Sequence, residues 1–347
     1  MPRRLIATAP RKTAIVSYDE RPLGRDEVHV AVDFASPKHG SELAGFRGES
    51  PHIKEQYNED WTSFLPREDE PGDPFNGHWV LGNQWVGRII ELGEDVNGFE
   101  IGERVAGHGG IAETLVQNVR DLHKMPAEMS WQNAVCYDPA QFALGGIRDS
   151  GLKLGDRAAI IGLGAIGQVA AQLAKLAGAS YVGVIDPIEK RRKVALESGA
   201  DAAFDPTAED AGLELKRQTD KAGVDVIIET SAAESALQCA LRGIAFGGTI
   251  AYVGWARAFK GGLDLGREAH FNNANIVFSR AVSEPLREYP RWSSARINST
   301  CWELLSHGKL NCEKIIDPVV SFEESDRAYE EFVDQHPERS IKLGVRF

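Results

Sequence analysis

Hydrophobic and polar positions change rhythm near residue 157. From there the chain reads as a short apolar run, a glycine-rich turn and a helix-period stretch, "RAAIIGLGAIGQVAAQLAKLAGA". Further apolar runs follow at "YVGVI" (181–185), "AAF" (202–204), "VDVIIE" (224–229), "TIAYVG" (249–254) and "NIVFSR" (275–280). Segments of helical period separate the earlier runs: "IEKRRKVALESG", "AEDAGLELKRQTDKAG" and "AAESALQCALRGI". Strands and helices alternating at this spacing predict right-handed crossovers and one parallel sheet. Six strands with the glycine-rich turn after the first predict an α/β, doubly wound Rossmann domain.

The N-terminal part has a different pattern. "EVHVAVDFAS" (27–36) alternates at period two and predicts a strand with Val28, Val30, Val32 and Phe34 on one face. In "WVGRIIELGEDVNGFEIGERVAGHGGIAETLVQ" turns are expected at Gly93, Gly98, Gly102 and Gly107, giving short strands of an irregular barrel-like domain. The tail from 299 reads as a helix, a strand-like "PVVSF" and another helix that packs back on this domain. One stretch, "LGNQWVGRII" (81–90), reads as a buried strand in which Gly82 and Gly87 mark close backbone approaches. Its beginning is unusual, because two neutral amides, Asn83 and Gln84, stand side by side before Trp85.

A chain of 347 residues is long enough for two domains. Its 42% hydrophobic and 26% charged residues are ordinary for a soluble globular protein. A net charge of -12 disfavours nucleic acid as a partner. The apolar runs are too short for a membrane-spanning helix, and "MPRRLIATAP" has no sustained apolar stretch to act as a secretory signal. Cys136, Cys239, Cys301 and Cys312 form no CxxC pair, so reduced thiols in a cytoplasmic protein are expected.

The strongest chemical signal is "GLGAIG" (162–167), placed between an apolar strand and a helix. Gly162 permits the tight turn, Gly164 lets the backbone approach a pyrophosphate, and Gly167 allows close helix–strand packing. Ala165, Ile166 and Gly167 open a helix whose free N–H groups and positive dipole end suit phosphates. The second strand ends at Asp186, nineteen positions after Gly167, where a carboxylate would accept both adenosine ribose hydroxyls and repel a 2′-phosphate. NAD is therefore expected over NADP. Lys190, Arg191 and Arg192 leave another reading open, since one of them can meet a phosphate; Arg191 otherwise stacks on the adenine or is solvated.

Together these segments resemble the medium-chain dehydrogenase/reductase superfamily, the zinc-type alcohol, sorbitol and threonine dehydrogenases. The resemblance runs through "HGSELAGFRG" (39–48), "GNQWVGRIIELGEDVNGFEIGERV" and "DPAQFALGGIRDSGLKLGDRAAIIGLGAIG", and covers nearly the whole chain. It implies a GroES-like, β-rich catalytic domain built from both chain ends (1–145 and 285–347), with the Rossmann domain (146–284) inserted between. It also implies a homodimer or homotetramer, commonly formed by extending the sheet at its last strand. Carried over position by position, the family's catalytic zinc ligands fall on His39, Asn83 and Asp138, and Gln84 takes the place of its Glu. The lobe that holds a structural zinc through four Cys is absent. Zinc favours thiolate, imidazole or carboxylate, and an amide is a poor donor, so no catalytic metal is expected. The other reading is a weak site made by His39 and Asp138 with water.

Without a metal, oxidation of an alcohol needs a general base or a chain of proton carriers. His39 is the leading candidate, since histidine's ordinary pKa of about 6.5 suits proton exchange near neutrality. Asp138 would orient it, or else cap the helix that begins at "PAQFALGGI". Ser41 stands at the family's relay hydroxyl, although Ala44 replaces the next relay member. Tyr137 is a second candidate acid or a core aromatic. Asn83, Gln84 and Trp85 are expected at the substrate, with satisfaction of backbone groups at a sheet edge as the alternative for the amides. The segment 49–79, carrying Trp61, Phe64 and Trp79, is either a lid or a surface insertion. These features predict an NAD-dependent oxidoreductase for a secondary alcohol or ketone on a sugar, polyol or cyclitol-like molecule. An enone or quinone reductase without zinc and a non-catalytic nucleotide-binding protein are the alternatives.

Overall fold

The computed structural model describes every residue except 68–74, 76–78, 256–257 and 281–282. The chain divides into two units, Met1–Val135 with Ile316–Phe347, and Cys136–Ile315 between them. These boundaries differ from those expected at 145/146 and 284/285. The helix Tyr137–Ser150 packs against the helix Ala165–Leu176 and the strand Ile244–Tyr252, so it belongs to the inserted unit. The helix Ser294–Ser306 packs on Tyr137–Ser150 in turn, which delays the return to the first unit until Ile316.

The inserted unit is a six-stranded parallel sheet in the spatial order 3-2-1-4-5-6, counting strands along the chain. The strands are Arg157–Ile161, Tyr181–Ile185, Ala202–Phe204, Val224–Glu229, Ile244–Tyr252 and Asn275–Phe278. This is the Rossmann order, with the switch point between the first and fourth strands. Ala159, Ile160, Val182, Val184, Ile227, Ile228 and Ile250 are all at 0% exposure, because helices cover both faces of such a sheet. The fifth strand starts earlier than its "TIAYVG" core, since Ile244 pairs with Val224 across a register shift.

The first unit is a GroES-like β-rich fold. Its main sheet runs His123–Lys124, Arg104–His108, Gln84–Leu92, Glu27–Ser36, Lys342–Arg346 and Ile316–Ser321, and Thr114–Asn118 also pairs with Glu27–Ser36. Val28, Val30 and Val32 face the core as the period-two pattern requires. Phe34 does not. A register shift between Val32 and Phe34 turns Ala35 and Ser36 inward instead, and Phe34 stacks on Trp131 with ring centroids 4.3 Å apart.

Gly107 is a second correction, for it lies inside the strand Arg104–His108 and makes no turn. Its bare Cα leaves room for the Trp85 ring, which a Cβ there would approach to 2.7 Å. Among the described residues no helix is long and apolar enough to cross a membrane. Trp85 is at 0% exposure and has no space to retreat. Gly107→Ala is therefore expected to destabilise the fold by about 1–3 kcal/mol, read as a lower urea midpoint at unchanged slope.

Candidate active site

Two glycines of the glycine-rich turn stand where a side chain would not fit. Gly162 adopts φ +84°, and a Cβ there would lie 2.7 Å from Ser231. A Cβ on Gly167 would sit 1.8 Å from the Gly162 carbonyl oxygen, so only glycine lets the helix approach the strand. A Cβ on Gly164 would meet nothing within 4 Å, although its φ of -67° and ψ of -173° suit any residue. Structure does not demand a glycine at that position, whereas a phosphate brought against the backbone does. Gly164 caps the helix Ala165–Leu176 without a side-chain hydrogen bond, which leaves the leading N–H groups aimed into this cradle.

Asp186 closes the cradle. It is 3% exposed, and its carboxylate accepts the N–H of Leu163 at 2.7 Å and that of Ile188 at 2.8 Å. Arg191 is not freely solvated, since its guanidinium lies 4.0 Å from the same carboxylate. Arg192 donates to the Asp186 carbonyl at 2.7 Å and pairs with Asp205 at 3.0 Å. Glu229, at the end of the fourth strand, is a further residue of this region that the sequence reading missed. Its buried carboxylate, pushed up by desolvation, accepts the N–H groups of Ser231 (2.7 Å) and Ala232 (3.1 Å). That loop packs against Gly162, and Thr230 Oγ1 donates to the Gly162 carbonyl at 2.8 Å. A strand candidate ending in an acid, "VDVIIE", was the available signal.

In the first unit, His39 lies in the turn between the strand Glu27–Ser36 and the helix Ser41–Phe46. Its Nε2 accepts the backbone N–H of Leu343 at 3.2 Å, which makes Nε2 the acceptor nitrogen of a neutral ring. Asn83 is brought beside this turn, its N–H donating to the Ser36 carbonyl at 3.1 Å. The Asn83 Nδ2 is buried and has no hydrogen-bond partner among the described residues. Ser41 is exposed at the helix start, and Ala44 behind it is a buried methyl that carries no proton onward.

Two residues expected at the substrate, Gln84 and Trp85, are buried. Gln84 is 1% exposed and donates its amide to Nδ1 of His108, its cross-strand neighbour, at 2.8 Å. Trp85 belongs to the hydrophobic core. Asp138 is 6% exposed in the inserted unit and occupies the first turn of the helix Tyr137–Ser150, whose N-cap is Cys136. It is thus not the N-cap, although an acid there suits the helix dipole. Tyr137 is a core aromatic set edge-on to Trp302 at 5.7 Å, and burial pushes its phenol up to about 12.

Part of the expected lid, 68–74 and 76–78, lies outside the described residues. The rest forms a hairpin, Glu55–Asn58 with Ser63–Pro66, that exposes Trp61 and Phe64. Trp79 instead packs onto Gly45 and Phe75.

The sequence reading also overlooked Glu42. One carboxylate oxygen accepts the Gly82 N–H at 2.9 Å, and the other accepts the Tyr329 hydroxyl at 2.8 Å. Burial pushes this carboxyl up to about 7, against hydrogen bonds and the nearby Lys342 that pull it down. Its place within "HGSELAGFRG", next to a candidate relay hydroxyl, is not distinctive, because an acid in a short helix reads as solvated.

The family model of zinc-binding dehydrogenases matches residues 165–294. D-guloside 3-dehydrogenase of Escherichia coli K12 is 54% identical over 349 residues, covering 99% of this chain and 100% of the relative. The chain belongs to the medium-chain dehydrogenase/reductase superfamily. The crystal structure of 2R,3R-butanediol dehydrogenase from Bacillus subtilis matches it with a TM-score of 0.78 at 20% identity, over 100% of both chains. Galactitol-1-phosphate dehydrogenase from E. coli matches with a TM-score of 0.77 at 19% identity, again over 100% of both. Both share its fold, a Rossmann unit with a GroES-like unit.

For a medium-chain dehydrogenase/reductase, the donor set here does not fit a tight zinc site. The family positions hold one imidazole whose Nε2 already accepts a backbone N–H, one neutral amide and one carboxylate. Among the described residues no three His, Cys, Asp or Glu side chains gather as a ligand group.

Two outcomes follow from this geometry. Gly164→Val should leave the melting temperature nearly unchanged and weaken dinucleotide binding at least about tenfold by fluorescence titration, whereas Gly167→Val should fail to fold. For Glu42, a folded-state pKa raised above the ordinary 4.5 means that the unfolded chain binds fewer protons between 4.5 and about 7. Its contribution to stability is present below that window and is lost as pH rises through it. The melting temperature of the wild type minus that of Glu42→Gln should therefore fall between about pH 5 and about pH 8.

Proposed function

We propose that this dehydrogenase oxidises a secondary ring hydroxyl of a sugar, a glycopyranoside above all, to a ketone, using NAD and no catalytic zinc. The observation that carries the reading is the Gly162–Gly167 cradle closed by Asp186, in a chain 54% identical to an enzyme named D-guloside 3-dehydrogenase. NAD is favoured because the Asp186 carboxylate would repel a 2′-phosphate. The neighbouring cations Arg191 and Arg192 are already engaged with Asp186 and Asp205.

A nicotinamide bound at the cradle would supply the hydride acceptor. The chain's own residues handle the rest. As the substrate C–H bond departs with its electron pair, the hydroxyl proton passes to His39 and a ketone remains. Proton uptake at Nε2 displaces the Leu343 N–H bond, at a cost of about 0.5–1.5 kcal/mol, small beside the barrier reduction that general base catalysis supplies. The Asn83 amide supplies a donor for a sugar oxygen, and a polyhydroxylated ring presents several. Exposed Ser41 passes the proton to water.

Self-association belongs to the same proposal. It is supported by the edge position of Asn275–Phe278 and by exposed Phe246, Phe271 and Phe278.

The test uses purified protein with NAD or NADP and a panel of methyl glycopyranosides and polyols. The expected result is NAD reduction that survives chelation, with a 3-keto sugar seen by NMR. His39→Ala should lower kcat by about 10²-fold or more, the usual scale of a lost general base. Stoichiometric zinc required for turnover, or C=C reduction with NADPH, would overturn the reading. Light scattering should give a mass at least twice the 37.9 kDa of one chain.

A further inference from the structure

The proposed reaction leaves unexplained why a half-buried carboxylate meets an enclosed ammonium and an enclosed phenol beneath the His39 turn. Glu42 joins Gly82 to Tyr329. Lys342, 2% exposed, lies near enough to act on Glu42 and donates to the Pro37 carbonyl at 2.5 Å. The next residue, Leu343, gives its N–H to His39 and accepts the Ser36 hydroxyl at 2.6 Å. The backbone turns that carry His39 and Asn83 thus both hang from this network. His39 stands three residues before Glu42, and Asn83 directly follows Gly82.

We propose that Glu42 is a positioning residue for the dehydrogenase reaction, its carboxylate fixing the spacing between the His39 turn and the Asn83 turn, with Tyr329 and Lys342 as struts. This rests on the reading of the protein as a dehydrogenase that uses His39. A carboxylate drawn largely out of water is costlier than an apolar side chain of similar size, and in some proteins such a group fixes one geometry among several. The groups around Glu42 are Tyr329 and Lys342 from the return segment and the backbone N–H of Lys38. Beyond Tyr329, Asp334 is held by Arg47 at 2.6 Å and Arg11 at 3.3 Å, so that charge is already balanced. Hydrogen bonds from three different segments meet on this one side chain, which marks it as a clamp.

The test compares Glu42→Ala, Glu42→Gln and Tyr329→Phe in the full chain by kcat and KM, NAD affinity and ¹⁵N NMR of the His39 ring. Glu42→Ala should lower kcat about tenfold or more with NAD affinity within about twofold, and shift the Nε2 resonance. Glu42→Gln keeps an acceptor for Gly82 and should recover kcat to within about threefold of wild type. Tyr329→Phe should fall between the two. Undiminished kcat in Glu42→Ala would overturn the clamp, as would a loss that Glu42→Gln does not restore. If Glu42→Ala does not fold, Tyr329→Phe decides, and an unchanged kcat there overturns the proposal. If the wild type oxidises none of the panel, the proposed function fails instead. The NMR comparison then decides the clamp alone, and an unmoved His39 resonance in both Glu42→Gln and Tyr329→Phe overturns it.

Discussion

The first unit depends on one strand pairing, the return of Lys342–Arg346 to the strand Glu27–Ser36. Val345 lies opposite Ala35 and Arg346 opposite Phe34, while the other edge of the returning strand pairs in parallel with Ile316–Ser321. The entropy of closing so long a loop grows only logarithmically with its length, so a whole folded unit can lie between the two strands at modest extra cost. The pairing also delivers chemistry. It places the Leu343 N–H at His39 and the Lys342 ammonium at Pro37, and so fixes the turn on which the proposed base stands. The register shift at Val32 and Phe34 serves the same end. It turns Ala35 and Ser36 inward, where the Ser36 hydroxyl and carbonyl hold Leu343 and Asn83.

The inserted unit was legible because its strands are apolar on both faces and separated by strong turn residues. "YVGVI", "AAF" and "VDVIIE" coincide with observed strands, and Gly162 and Gly167 of "GLGAIG" stand where a Cβ would clash. The first unit was less legible, for three physical reasons. Its last strand, "KLGVR", is short, begins with a lysine and has a central glycine, so no alternation announces it. Charges such as buried Lys342 and half-buried Glu42 are compensated by partners distant in sequence, and no local pattern reports that. The third reason is the period of the strand itself. Gln84 and Trp85 are adjacent on a strand and must face opposite sides, so they could not share one substrate-facing role. Trp85 went to the core and Gln84 to His108. Gly107 misled for a related reason. A glycine in a β region signals a turn only when no large side chain from the next strand needs its space.

The positions that the resemblance aligns with the family's metal ligands hold neutral or singly charged groups with different electrostatic demands. A zinc ion stabilises a developing alkoxide by its own charge and needs few other donors. A site of one imidazole and one amide must instead bind through hydrogen bonds, each of modest net value unless its partner is otherwise left unpaired. That condition holds for Asn83. Its Nδ2 is enclosed with no acceptor among the described residues, a state that costs about 1–3 kcal/mol and that a substrate oxygen would relieve under the proposed function. A simple alcohol offers one such oxygen, which the base must also reach. A pyranose offers several on adjacent carbons, so under the proposed function one would satisfy the amide while its neighbour surrenders a proton to His39. Under the proposed function, an amide in place of a metal ligand favours polyhydroxylated rings, so a preference for sugars and independence of zinc would be two consequences of the same substitution.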